Sequence, residues 1–583
     1  MTSAGWTACC ASWRFWCCRW CWRRPPGGIR SFRRIFTSGQ TERLPSKVED
    51  WRNRPRRDIS SIIAFLLGQE HTPVAESLRC VAPDSVIAGW DFSTGAVKCL
   101  AFDLDGRTIA EVRLPTDLWT AGGVSELNLM QLEGQARATT RLMAARLREL
   151  GRLSHWVAAG VSATHHTAGR IDRDRAQVRR AICWNDHTIA AYHARGLERL
   201  GGPDRVRDLI GGPWAARYSL SHLVKDEEHL SSEDWRRTER ILPHGALAAG
   251  FLTGNFDVCS VSAAASTGLM DLRTRQWRRE MLGALAKPEY RELAWKQLPR
   301  IVEETDLIGP LSSSLALEAG IDAQHRPLIF PTSDDQAAGL AGGGAVDAGQ
   351  VAVILGNSAV VNSSSAEAPA SGSLDAMRLN WGPYLWMRCY NNGAQFLDRV
   401  VGERPDWDKI EREARACPVG AGGAAILPFA SPEPSLGIHA PRLEWRPSEP
   451  TEPGRRFRAS LEALAYLIAR GVKEHEAAGQ KITRISVSGG IARSDLMCEI
   501  LASVLDRPLE RLQSFEGPAL GAAATALAAL ETHLRRQKGV AIPFTTADAV
   551  AVLVKFREPT APNPAWRATY QEGLRAFEKW LQA

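Results

Sequence analysis

Little in this 583-residue chain marks it for a membrane, an oxidising compartment or a polyanion. No apolar run approaches the roughly 20 residues needed to cross a bilayer. The stretch SSIIAFLLG (60–68) is far too short. No secretory signal core is present either, because Arg14 and Arg19 interrupt the only candidate segment. Of 12 cysteines, five (Cys9, Cys10, Cys17, Cys18, Cys21) lie in the first 21 residues. The other seven are scattered, with no CxxC among them. That pattern excludes a disulfide scaffold or zinc ribbon and fits reduced thiols in the cytoplasm. The formal charge of +7 is confined to residues 1–84, which hold 14 Lys+Arg and 7 Asp+Glu. Residues 85–583 hold 58 of each sign. A neutral body carries no electrostatic footprint for nucleic acid.

What is there reads as a globular protein, 44% hydrophobic and 23% charged, long enough for several domains. The leader CCASWRFWCCRWCWRRPPGGIRSFRRIF is rich in Arg, Cys and Trp and resembles no packed element. Residues 1–84 are expected to be a disordered or spurious extension outside the fold.

The body divides into two blocks. The first, 85–344, opens with SVIAGWDFSTGAVKCLAFDLDGRTIAE, two apolar strands joined by Asp-Phe-Ser-Thr-Gly and a third after Asp105-Gly106. HWVAAGVSATHH (155–166) reads as a buried strand ending in polar residues. The second, 345–583, repeats the design in GQVAVILGNSAVVNSSS (349–365), a strand, a Gly-Asn-Ser turn and a strand. ITRISVSGGIARSDLMCEILASVLDRP (482–508) reads as strand, Gly-Gly turn and amphipathic helix. Residues 530–563 read as a connection with one short strand, and 564–581 as a closing helix. Alternation of helix and strand predicts an α/β protein of two similarly built domains flanking a cleft.

Three glycine- or hydroxyl-bearing turns after buried strands suit a polyphosphate, because backbone N–H groups there form anion-binding nests. The stretch PTSDDQAAGLAGGG (331–344) adds two carboxylates at a helix start. One reading makes an Asp the N-cap; another makes it a base held in a cleft.

The order and content of these segments resemble the FGGY carbohydrate kinases, whose domains are actin/hexokinase-like (ribonuclease H-like). The resemblance spans nearly all of 85–583. It rests on GWDFSTGAVKCLAFD, VILGNSAVV, SVSGGIARSDLMCEILASVLDRPLE with the trailing EGPALGAA, FLTGNFDVCSVSAAASTGLMDLRTRQW and FRASLEALAY. GWDFST and CYNNGAQFLDRVVG look most like xylulokinases.

The resemblance implies ATP-dependent phosphorylation of a ketose or polyol, D-xylulose first, with Mg²⁺. Other acceptors it leaves open are ribulose, sedoheptulose, glycerol, a tetritol, or none, in a non-catalytic sugar or ATP sensor. It implies Asp335 as catalytic base, ionised at its helix N-terminus, with Asp334 pointing away, and Asp91 as the residue facing Mg²⁺. It places Ser93, Thr94, Gly356, Asn357 and Ser358 around the phosphates and Gly489, Gly490 and Ser494 near the nucleoside. Lys98 reads as a phosphate contact or a solvated strand residue. Trp407 reads as an adenine stack or a core residue. His166, Arg217, Trp184, Asp186 and Gln336 are implied sugar contacts. Departures from the family pattern are Gly95, Thr188, Ala263 and Ala265, the last three on the sugar side. Expected partners are the sugar and ATP, with a homodimer left open and neither membrane nor nucleic acid.

Overall fold

The Asp-Phe-Ser-Thr-Gly turn does join two strands, β1 (Val86–Phe92) and β2 (Ala96–Phe102), both almost wholly buried. The chain turns again at Asp105-Gly106 into β3 (Thr108–Pro115), whose alternating exposure marks a sheet edge. Next in this sheet comes β4 (Trp156–Ala163), parallel to β1. Short strands β5 (Gly309–Pro310), β6 (Leu328–Ile329) and β7 (Ser333–Asp334) complete it, in the order β5-β6-β4-β1-β2-β3, with β7 pairing the far end of β4.

The second sheet repeats that plan. It contains β8 (Gln350–Leu355), β9 (Ala359–Ser365), β10 (Asp375–Arg378), β11 (Tyr384–Tyr390), β12 (Arg484–Ser488) and β13 (Glu510–Arg511). Their order is β10-β11-β9-β8-β12-β13. The β8–β9–β11 meander is antiparallel and β12 lies parallel to β8, as β4 does to β1. A third, five-stranded sheet (119–121, 124–127, 168–172, 177–182 and 238–243) extends the first lobe. The same lobe holds helices α1 (Ser219–His229) and α2 (Val261–Ala265).

The structure is a computed structural model that describes residues 79–370, 374–402 and 405–583. The leader reading therefore falls outside the described residues, except at its end. There Cys80 and Val81 donate backbone N–H groups to the Glu531 carboxylate at 2.8 and 3.2 Å, and Val81 is buried. Residues 79–84 thus belong to the fold, a correction to a start at 85.

Helices tie the lobes together. α3 (Asp335–Gly342) leaves the first sheet. α4 (Pro453–Ala477) and α5 (Asp495–Leu505) pack on the second. α6 (Gly517–Lys538) returns from the second half of the chain to the first sheet, where Ala519, Leu520 and Ala523 join Ile87, Leu100 and Ala158 in one core. Residues 530–563 hold the expected short extended pairing, Phe556 and Thr560 bridging antiparallel to Leu512 and Leu509, but more helix than expected. α6 runs on to Lys538 and α7 (Thr546–Leu553) follows, because Ala549, Val550 and Leu553 bury in the core that α6 shares with the first sheet. α8 (Arg567–Gln582) closes the chain as expected, burying Tyr570, Leu574, Phe577 and Trp580. The α3–α6 crossing is so close that a Cβ on Gly521 would overlap the Ala338 carbonyl.

Candidate active site

Register brings the first polar cluster together. Asp91 in β1 lies opposite Lys98 in β2 and Ser162 in β4, while Ser333 and Asp334 of β7 face Ser162 and Ala163. A row of polar side chains thus forms at the carboxyl ends of the parallel strands, where α/β sheets open to ligands.

Asp91 is buried, and Ser162 Oγ donates to it at 3.3 Å. Lys98 Nζ stands 3.7 Å from Asp91 and donates to Glu516 at 2.6 Å. Glu516 immediately precedes α6, so a residue 418 positions away completes the β1–β2 cluster. Burial raises the Asp91 carboxyl, opposed by Lys98 and reinforced by Glu516. Burial alone would lower Lys98, but Asp91 and Glu516 outweigh it and raise the ammonium. Lys98 is therefore no solvated strand residue.

The two carboxylates of the Asp-Asp pair divide the work. Asp334 is the N-cap, accepting from the backbone N–H groups of Gln336 (3.1 Å) and Ala337 (2.9 Å) and from Ser262 Oγ (2.5 Å). Despite burial these donors, with His165, hold its carboxyl low. Asp334 does point away from a base role, as expected. Asp335 begins the helix, keeps 23% of its side chain exposed, and accepts only the His165 backbone N–H, at 3.2 Å. The helix terminus does not keep it firmly ionised. Burial, then Asp334 and Asp91, push it up to about 7 against the opposing pull of His165. Gln336, half-exposed, accepts from Asn362 Nδ2 of β9 at 3.0 Å, linking the neighbour of Asp335 to the second lobe.

On the sugar side, His166 is buried with a left-handed backbone (φ 58°). Its Nδ1 donates to the Ser266 carbonyl at 2.7 Å, and its Nε2 has no hydrogen-bond partner. Burial, His165 and Arg217 keep this ring neutral, well below the usual imidazole range. A neutral ring with Nδ1–H committed to a carbonyl presents Nε2 as an acceptor. The ring stacks on Tyr218 (4.2 Å between centroids, 19°). Arg217 forms an ion pair with Asp375 of β10, across the lobes, and the Tyr218 hydroxyl donates to Asp375 at 3.4 Å.

Asp186 is drawn into local structure. It accepts from Thr188 N (2.8 Å), Thr188 Oγ1 (2.5 Å) and Lys225 Nζ of α1 (3.0 Å). Thr188, which stands where the family pattern often has Arg, also accepts from Lys225 at 2.8 Å. The lysine thus supplies from α1 the cation missing from position 188. Trp184 lies half-buried in the same turn.

The nucleotide-side turns sit at the ends of β8 and β12. Gly356, Asn357 and Ser358 form the β8–β9 turn, closed by Gly356 N donating to Ser358 O at 3.0 Å. Gly489 has φ +95°, and a Cβ there would meet the Leu355 carbonyl, so only glycine lets the two turns lie side by side. Gly490 is exposed, and Ser494 caps α5 by accepting from Met497 N at 3.0 Å. In the β1–β2 turn, Ser93 Oγ donates to Ala96 O at 2.7 Å, Thr94 is half-buried and Gly95 is exposed. Trp407 packs against Phe457 (5.8 Å between centroids) on the second lobe's core, which favours the core reading over an adenine stack.

Sequence reasoning missed His165, Ser162, Glu516, Asn362, Ser262 and Asp375. Glu516 had a local signal in its place just before Gly-Pro-Ala at a helix start. Asp375 and Asn362 had none, since their partners lie in the other lobe.

Two repeated ribonuclease H-like sheets, one ending in carboxylates and the other in glycine turns, give the protein the two-lobed actin/hexokinase-like fold. The chain belongs to the FGGY family of carbohydrate kinases. The N-terminal domain model of that family matches residues 86–341 and the C-terminal one residues 408–530. Xylulose kinase of Escherichia coli (strain K12) is 26% identical over 450 residues, 75% of this chain and 88% of that one. Glycerol kinase of Methylorubrum extorquens (strain PA1) is 28% identical over 476 residues, 76% of this chain and 88% of that one. The solved structure of a ligand-bound xylulose kinase from Lactobacillus acidophilus shares the fold, with TM-score 0.72 and 19% identity over 85% of this chain and 97% of that one. The protein is an ATP- and Mg²⁺-dependent carbohydrate kinase. Among the described residues, no helix is long and apolar enough to cross a membrane.

Proposed function

We propose that the chain phosphorylates a hydroxyl of a ketose, D-xylulose first, with Asp335 as base. The observation that carries this reading is the paired start of α3. Asp334 spends its oxygens on the cap, while Asp335 keeps a partly open carboxylate that titrates near neutrality. In the reaction the sugar oxygen bonds to the γ-phosphorus and the bond to the ADP oxygen breaks. The hydroxyl proton passes to Asp335. His166 accepts a sugar hydroxyl at Nε2, and Arg217 and Gln336 flank the sugar. Trp184 and Asp186 act from behind, through the turn that Lys225 holds.

Hard oxygen donors and a surplus of negative charge suit Mg²⁺ at Asp91, with Glu516 beside it. Bound there, the ion would neutralise charge on the transferring phosphate. Lys98 adds a cation beside the same phosphates. Ser93, Thr94 and the Gly356–Ser358 turn offer backbone N–H groups to them, and the Gly489–Gly490 turn passes the nucleoside. Ser494 contributes through the helix it caps.

D-xylulose is favoured by several curated relatives named xylulose kinase, while the glycerol kinase match favours a polyol as second reading. A cytoplasmic protein fits the seven described cysteines, all free, and a homodimer is the oligomer to look for. The test is ADP release by the purified full chain with ATP and Mg²⁺ over D-xylulose, D-ribulose, sedoheptulose, glycerol and erythritol. Release with D-xylulose above the others supports the reading. Preference for glycerol moves it to a polyol kinase, and sugar-independent release defeats it.

A further inference from the structure

His165 has no role among the residues the family resemblance implies, yet it lies against both carboxylates at the start of α3. Its side chain is 6% exposed. The backbone N–H donates to Asp335 Oδ1 at 3.2 Å. The ring Nδ1 lies 3.2 Å from Asp334 and 4.0 Å from Asp335. The ring packs on His166 at 3.6 Å between centroids. Neither ring nitrogen makes an aligned hydrogen bond. A buried imidazole with both nitrogens unsatisfied is costly unless the arrangement serves another end. His165, Asp334 and Asp335 gather ligand atoms within 4.8 Å. Asp334 already receives two backbone N–H groups and a hydroxyl, so the trio reads as a supported base, not a cation cage.

We propose that His165 is a positioning residue for the base: its backbone N–H aims one oxygen of Asp335, and its ring, set against the two adjacent carboxylates, offsets their charge. This rests on reading Asp335 as the base. The charged or titratable groups facing Asp335 are Asp91 from β1, His165 after β4, Asp334 at its own helix start and Cys389 from β11. Burial pushes the Cys389 thiol up to about 11, so it stays neutral. Asp91 and Asp334 both favour protonation of Asp335. His165 alone among these four opposes it. His166 does not share that task, since burial, His165 and Arg217 keep its ring neutral.

The experiment is the pH profile of kcat/KM for the sugar in the parent, His165→Asn and His165→Gln, with Asp335→Asn alongside. Both His165 variants keep the backbone N–H and lose the imidazole. The acid limb should move up by roughly half a unit to one unit. That is about a 3- to 10-fold loss at pH 6.5 and a much smaller loss at pH 9, with KM for ATP unchanged. An unmoved limb, whether with uniform loss at every pH or with change confined to the sugar KM, overturns the proposal. Loss of the fold in both variants overturns it too, by making His165 structural. Asp335→Asn separates the two failures. If it stays active, the reading of Asp335 as base falls. If it is inactive while the His165 limb is unmoved, only the present proposal falls.

Discussion

Asp334 and Asp335 are consecutive in the chain but face different partners: Asp334 closes onto the first backbone N–H groups of α3, and Asp335 onto the His165 amide at the cleft. A capping carboxylate is stabilised by its donors, whereas its neighbour is left with one amide and two nearby negative charges. The difference between fixed and reactive carboxylate is a matter of which oxygens the helix terminus reaches.

Asp335→Asn should lower phosphoryl transfer by 10²- to 10⁴-fold, the usual yield of general-base catalysis. It should also stabilise the fold. A carboxyl raised to about 7 is harder to ionise in the folded chain than in the unfolded one, where it titrates near 3.9. Its stabilising contribution is complete below about pH 4 and lost as pH rises through about 7. The amide should therefore gain roughly 1–3 kcal/mol at pH 8 and nothing at pH 4. Thermal melts at the two pH values check this.

Activity of the parent should fall as pH drops through about 7, because protonated Asp335 cannot take the hydroxyl proton. A kcat/KM profile flat down to pH 5 contradicts it.

Lys98→Met leaves Asp91 and Glu516 without the ammonium between them. Melting without metal should show a loss of about 1–3 kcal/mol. Millimolar Mg²⁺ should recover part of the loss in this variant and do less for the parent.

Gly521→Val forces a side chain into the Ala338 carbonyl, in the helix that begins with Asp335. Destabilisation of about 2–4 kcal/mol should accompany a drop in kcat. The matched control is Gly539→Ala, at a helix end where a Cβ meets nothing and only the φ of +67° resists.

Asp375→Asn removes the acceptor of Arg217 and Tyr218 across the lobes. Stability should change by less than about 1 kcal/mol, since the pair is partly exposed. The sugar KM should rise several-fold with the ATP KM unchanged. Equal changes in both place the pair outside the sugar pocket.

Local chemistry by itself determined the repeated strand–turn–strand units, the closing helix, the glycine turns and the carboxylate pair at 334–335. Apolar periodicity and turn residues act over a few positions and survive any tertiary context. Tertiary structure alone decided that Glu516 reaches Lys98, that His165 lies between two carboxylates, that Asp375 takes Arg217 and that Trp407 joins the core. It also made 546–553 helical, because the core that α6 shares with the first sheet offered an apolar face. Those outcomes depend on which surfaces meet and how much water leaves between them, and burial is a property of the packed chain that no local pattern encodes.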